Sequence, residues 1–141
     1  MLTMHVPLAV LADAANVSLE GKLNIFGIFN RIWAVNFPAH HPQMQLVLAF
    51  EADTAEAEQV KPIEVQLRDS DGKKMVAISG RLKVPKGEPG QPIRINHIFP
   101  LPGLGFEKPG DYVFKILVNG ETKTQVPFAV AQVMSRKEKK Q

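Results

Sequence analysis

Paired histidines are the first residues of this chain that could do chemistry, since His40-His41 stand between Pro38 and Pro42. Imidazoles bind transition metals, but adjacent side chains rarely converge on one ion, whereas a helical i, i+4 pair or two residues on one strand face can. The chain has no cysteine to complete a zinc site, and His5 and His97 could approach the pair only through folding. A turn carrying solvated histidines is the expectation, and His40 and His41 stay as weak polar candidates for a metal or an anion.

Hydrolytic chemistry needs a nucleophile, a base and an orienting acid. Ser18, Ser70, Ser79 and Ser135 fall in a loop, before a hairpin, within a strand and near the C-terminus, and none sits in a nucleophile-elbow pattern. Asp69 and Asp71 flank a turn, where Asp is favoured for its bonds to nearby backbone. Glu51, Asp53, Glu56 and Glu58 form an acidic stretch that reads as solvated loop. Gly103-Leu104-Gly105 lacks the strand-to-helix setting of a phosphate-binding loop. No nucleophile, base and acid support one another, so the expectation is a chain that is not an enzyme and carries no cofactor.

Binding chemistry has better candidates. Asp13, Arg31 and Trp33 are the polar and amphipathic residues expected to meet near the first two strands, with Arg31 stacking on Trp33 and pairing with an acid such as Asp13. Between them lies Ile25-Phe26-Gly27-Ile28-Phe29, apolar on both faces of an extended chain. Such a strand is either central and covered twice or in contact with another chain. Gly27 in its middle predicts a bulge or a close backbone approach. Ile25, Phe26, Ile28, Phe29, Arg31 and Trp33 are therefore the candidate interface.

The elements that position these residues are strands. Apolar residues alternate in short segments separated by Gly, Pro, Asn and Asp, and helix-period stretches are nearly absent. Segments 6–12, 23–35, 44–52, 63–68, 76–84, 93–99, 112–118 and 126–130 give about eight strands. Asp71-Gly72 and Asn119-Gly120 supply tight hairpin turns, while 85–92 and 100–110 read as Pro/Gly-rich loops. Short strands with one apolar face each must cover it with a second sheet, which favours a sandwich over an open sheet and leaves a closed barrel as the alternative. Tyr112, opening a strand after Lys108-Pro109-Gly110-Asp111, resembles the tyrosine corner of Greek-key sandwiches.

At 141 residues the chain suits a single domain, expected over 1–133, followed by a basic disordered tail over 134–141. Of 17 basic and 14 acidic side chains, Arg136, Lys137, Glu138, Lys139 and Lys140 lie in that tail, leaving 13 of each sign in the body. A body balanced in this way predicts no nucleic-acid face. No apolar run approaches the ~20 residues of a spanning helix, so no membrane partner is expected. Without cysteine there is no need of an oxidising compartment, and a cytoplasmic setting is the expectation.

LADAA at 11–15, GKLNIFGIFNR at 21–31, Phe37-Pro38 with His41-Pro42, and the 109–120 hairpin together resemble an uncharacterised family of small bacterial proteins with an immunoglobulin-like sandwich. The resemblance spans most of the chain except the tail. It implies an all-β, immunoglobulin-like antiparallel β-sandwich, and it brings no activity, cofactor or ligating residues. The function expected is a non-catalytic binding or scaffold module working through protein–protein contacts, with a protein partner or self-association as a homo-oligomer. The alternative is a small-molecule or carbohydrate binder with a cleft near Trp33.

Overall fold

The structure, a computed structural model, describes residues 4–134. Nine strands fall among them, β1 (His5–Val17), β2 (Leu23–Phe29), β3 (Arg31–Ala34), β4 (Ala39–Ala52), β5 (Val60–Arg68), β6 (Lys74–Lys83), β7 (Ile93–Phe106), β8 (Gly110–Val118) and β9 (Glu121–Gln132), with one 3-10 turn at Thr54–Glu56. They form a four-stranded sheet in the order β2-β1-β4-β7 and a five-stranded sheet in the order β3-β9-β8-β5-β6. Two separate sheets with free edges make a sandwich, not a closed barrel.

Alternation builds the core. Tyr112, Phe114, Ile116 and Val118 of β8 face Val126, Phe128 and Val130 of β9 and Ile63, Val65 and Leu67 of β5, and all are buried. Asn119 (φ 54°) and Gly120 (φ 76°) both take the positive φ that a type I′ turn requires, so the β8–β9 hairpin closes as its Asn-Gly pair predicts. From the other sheet, Met44, Leu46, Leu48 and Phe50 of β4 and Phe99 and Leu101 of β7 complete the interior. With β4 and β7 in one sheet and β5, β8 and β9 in the other, strand order follows the immunoglobulin pattern, in which B pairs with E while C, F and G lie opposite. The fold is an immunoglobulin-like all-β sandwich.

Four sequence expectations need correction. The extended segment 23–35 is two strands, because the chain changes sheets at Asn30, whose carbonyl accepts from the Ala129 N–H at 3.0 Å. That crossover makes nine strands instead of about eight, and it sets β3 parallel to β9, with Ile32 beside Val130. The strand covered on both faces is β4, not β2. Val47 and Ala49, on the face turned away from the core, are fully buried, and Asn96 of β7 donates to the Gly21 carbonyl at 3.3 Å, drawing the β1–β2 hairpin tip across that face.

Residues 100–106, expected as loop, extend β7, with Pro100 opposite Gln45 and Pro102 opposite Gln43. The prolines fit because β7 is an edge strand, whose missing N–H groups cost no ladder bond. Likewise His40 and His41 lie in β4 opposite Gly105 and Leu104, not in a turn. The basic tail, apart from Met134, lies outside the described residues.

Candidate functional site at the β2 and β3 edges

β2 hydrogen-bonds to β1 on one side and has a free edge on the other. Its register with β1 sets Phe29 opposite Leu11, Ile28 opposite Ala12 and Phe26 opposite Ala14. Leu11 is a core residue, so Phe29 on the same face is half-buried against the core. Ile25 is also half-buried. Phe26 and Ile28 point to the opposite face and are 59% and 62% exposed. No residue of β2 is fully buried.

The four sheet edges differ in how they are protected against further strand pairing. β7 carries Arg94, Pro100 and Pro102; β6 carries Lys74, Arg81 and Lys83; β3 is only four residues long and begins with Arg31. Charge, proline and shortness are the usual devices that blunt an edge. β2 has seven residues, Leu-Asn-Ile-Phe-Gly-Ile-Phe, with neither charge nor proline. Its row of backbone donors and acceptors is an unguarded template for an added strand.

Beyond Asn30, β3 sets Ile32 into the core and leaves Arg31 and Trp33 outside. The Arg31 guanidinium carbon lies 5.4 Å from the centre of the Trp33 ring, and Trp33 is 60% exposed. A stack of this kind at an exposed site is worth about 0.5–1 kcal/mol. The stacking expectation holds, but the ion pairs among the described residues do not include Arg31 with Asp13. Phe29 and Trp33, four residues apart, belong to different sheets.

Asp13 meets Gly27 instead. The register on either side places Asp13 directly across from Gly27. Gly27 has φ 70°, and a Cβ there would collide with the Asp13 carboxylate. The bulge or close backbone approach expected at Gly27 is not what the structure shows: the register along the β1–β2 pair does not shift, and what crowds Gly27 is the Asp13 side chain.

The histidines are dispersed. The His41 ring is 5.9 Å from that of Phe29, His5 pairs with Glu51 at 3.5 Å, and His97 lies edge-on to Phe99 at 4.4 Å. Burial lowers the His97 pKa below its ordinary 6.5. No group of three His, Asp or Glu side chains that could hold a metal occurs among the described residues. The acidic stretch also needs correction, because Glu56 is only 5% exposed. It accepts from the Asp53 N–H at 2.8 Å and pairs with Lys61 at 3.2 Å, while Asp53 accepts from the Ala55 N–H. The signal was readable as Asp53-x-x-Glu56, the spacing of a capping box.

Open hollows of about 300 and 420 Å³ lie beside His5, Glu51 and Gln91 and beside Ile63, Ser79 and Arg81. Trp33 lines neither, so the alternative of a cleft near Trp33 gains no support from them. No helix among the described residues is long and apolar enough to cross a membrane.

Among curated proteins none matches the chain. Among solved structures, the alkylpurine DNA glycosylase AlkC of Pseudomonas fluorescens, bound to DNA containing an abasic site analog, is similar at 15% identity and a TM-score of 0.56. That match covers 90% of this chain, which spans 30% of the glycosylase. An immunoglobulin-like protein of Pseudomonas aeruginosa is similar at 11% identity and a TM-score of 0.42, covering 92% of this chain and 97% of that one. The first likeness corrects the expected partner set, from which nucleic acid had been excluded. The architecture occurs in a protein solved on DNA, and a balanced overall charge does not fix how charge is distributed locally. The sequence motifs resembled an uncharacterised family, and one such family matches nearly the whole sandwich. Matched over residues 7–131, from β1 into β9, the chain belongs to the family of unknown function DUF6941.

Proposed function

We propose that this protein is a non-catalytic binding module that works through protein–protein contacts, taking an extended segment of a partner along the free edge of β2. The observation that carries the reading is the uncharged, proline-free β2 edge with Phe26 and Ile28 exposed on one face. Strand addition draws affinity from main-chain hydrogen bonds and specificity from alternate side chains. Each main-chain bond contributes about 0.5–1.5 kcal/mol net, and covering Phe26 and Ile28 adds apolar burial at roughly 25 cal/mol per Å². A cytoplasmic setting accords with a sandwich that uses no disulfide.

Selection of a displayed library of random seven-residue peptides on the intact protein tests this. Recovered peptides should shift the backbone amide resonances of β2, and Ile28→Asp, at an exposed position, should abolish their binding while the protein stays folded. Peptides that map to another surface, or that bind the folded Ile28→Asp variant equally well, would overturn the reading.

A further inference from the structure

Asp13 carries a charge with no ion-pair partner among the described residues, and its carboxylate leans over the one residue of the edge strand that has no side chain. Asp13 and Gly27 are both exposed, so the opposite sheet does not cover this part of the face. In a sheet, residues directly across from one another point to the same face. A strand added beside β2 therefore places one residue next to Gly27, on the Asp13 side of the sheet, with no side chain between them. Its two neighbours point to the other face, beside Phe26 and Ile28.

From this geometry we infer the chemistry of the partner segment, an inference that rests on strand addition at β2. The segment is apolar–basic–apolar, its Lys or Arg reaching across Gly27 to the Asp13 carboxylate while the flanking apolar side chains cover Phe26 and Ile28. The pattern holds whichever direction the added strand runs, because alternation of faces is the same in both. A second copy of this chain fits poorly. Pairing β2 with itself about Gly27 would bring two Asp13 carboxylates onto one face, and like charges so placed are unfavourable. The glycine thus acts as a window through which a charge on the second strand of the sheet selects what pairs with the first.

The test uses end-blocked peptides Thr-Thr-Val-Lys-Val-Thr-Thr and its Gln and Glu counterparts at the central position, titrated into isotope-labelled full-length protein and followed by β2 amide shifts. The Lys peptide should bind about five- to tenfold more tightly than the Glu peptide at low salt, as expected for a partly screened pair, and the preference should shrink as salt rises. In Asp13→Asn the preference should vanish while the Gln peptide binds as it does to the wild type. Equal binding of Lys and Glu peptides, or a preference that persists in Asp13→Asn, would overturn the inference and leave strand addition standing. Failure of all three peptides to move β2 amides would overturn both.

Discussion

The Tyr112 hydroxyl donates a 2.6 Å hydrogen bond to the carbonyl of Lys108, four residues back, and so pins the loop that leads from β7 into β8. The ring is held between Phe106, edge-on at 5.0 Å, and Phe128, stacked at 5.8 Å. Tyr112→Phe keeps these ring contacts and leaves the carbonyl unpaired. The expected loss is about 1 kcal/mol, read as a lower urea midpoint with an unchanged slope. Because this is the only tyrosine, its titration can be followed alone by ultraviolet absorbance. Burial, reinforced by the Asp69 charge, should place the midpoint above 10.

Gly27→Ala should destabilise by roughly 2 kcal/mol, combining the cost of a positive φ for an L-residue with collision against Asp13. Adding Asp13→Ala should recover the collision but not the backbone cost. The double variant should therefore be more stable than the sum of the single effects allows, as chemical denaturation of all four proteins would show.

His97 makes stability fall as pH falls. Its folded pKa lies below 6.5 because burial disfavours the imidazolium, so between that value and 6.5 the unfolded chain binds more protons and stability rises with pH. The contribution is complete above the unfolded pKa, is lost as pH falls through 6.5, and levels off below the folded pKa. Melting temperatures measured across that range should decline in the wild type and decline less in His97→Phe, which keeps an aromatic ring against Phe99.

Glu56→Ala removes both the partner of Lys61, whose side chain is only 12% exposed, and the acceptor for the Asp53 N–H. Stripping one partner from a largely buried pair should cost roughly 3 kcal/mol. Glu56→Gln should recover part of this through the cap, since an amide oxygen can still accept from Asp53. Urea midpoints in the order wild type, Gln, Ala would check the assignment.

Sequence periodicity made much of this fold legible. Period-2 alternation exposed the inward faces of β5, β6 and β8, and Asn119-Gly120 set a hairpin because few residues other than Asn and Gly take positive φ at both positions. The capping spacing at Asp53 and Glu56 stood in the sequence as well, since both bonds are local, but charge alone made the stretch read as solvated loop. The corner at Tyr112 was readable for the same reason, with donor and acceptor four residues apart.

Which apolar strand would be covered was not legible. Ile25 to Phe29 and Met44 to Phe50 look alike as strings, and alternation reports a strand's two faces without saying which neighbours will lie over them. Only the tertiary arrangement decided it: β1 comes between β2 and β4, leaving β2 an open edge, while Val47 and Ala49 on the second face of β4 are buried. The switch of sheets at Asn30 and the meeting of Asp13 with Gly27 were likewise set by long-range pairing. The sequence by itself determined most of the strands, the Asn119-Gly120 turn and a short list of residues around the second strand. Tertiary structure decided that this strand is an edge and which charge stands behind it, because an edge exists only relative to the strands that are not there.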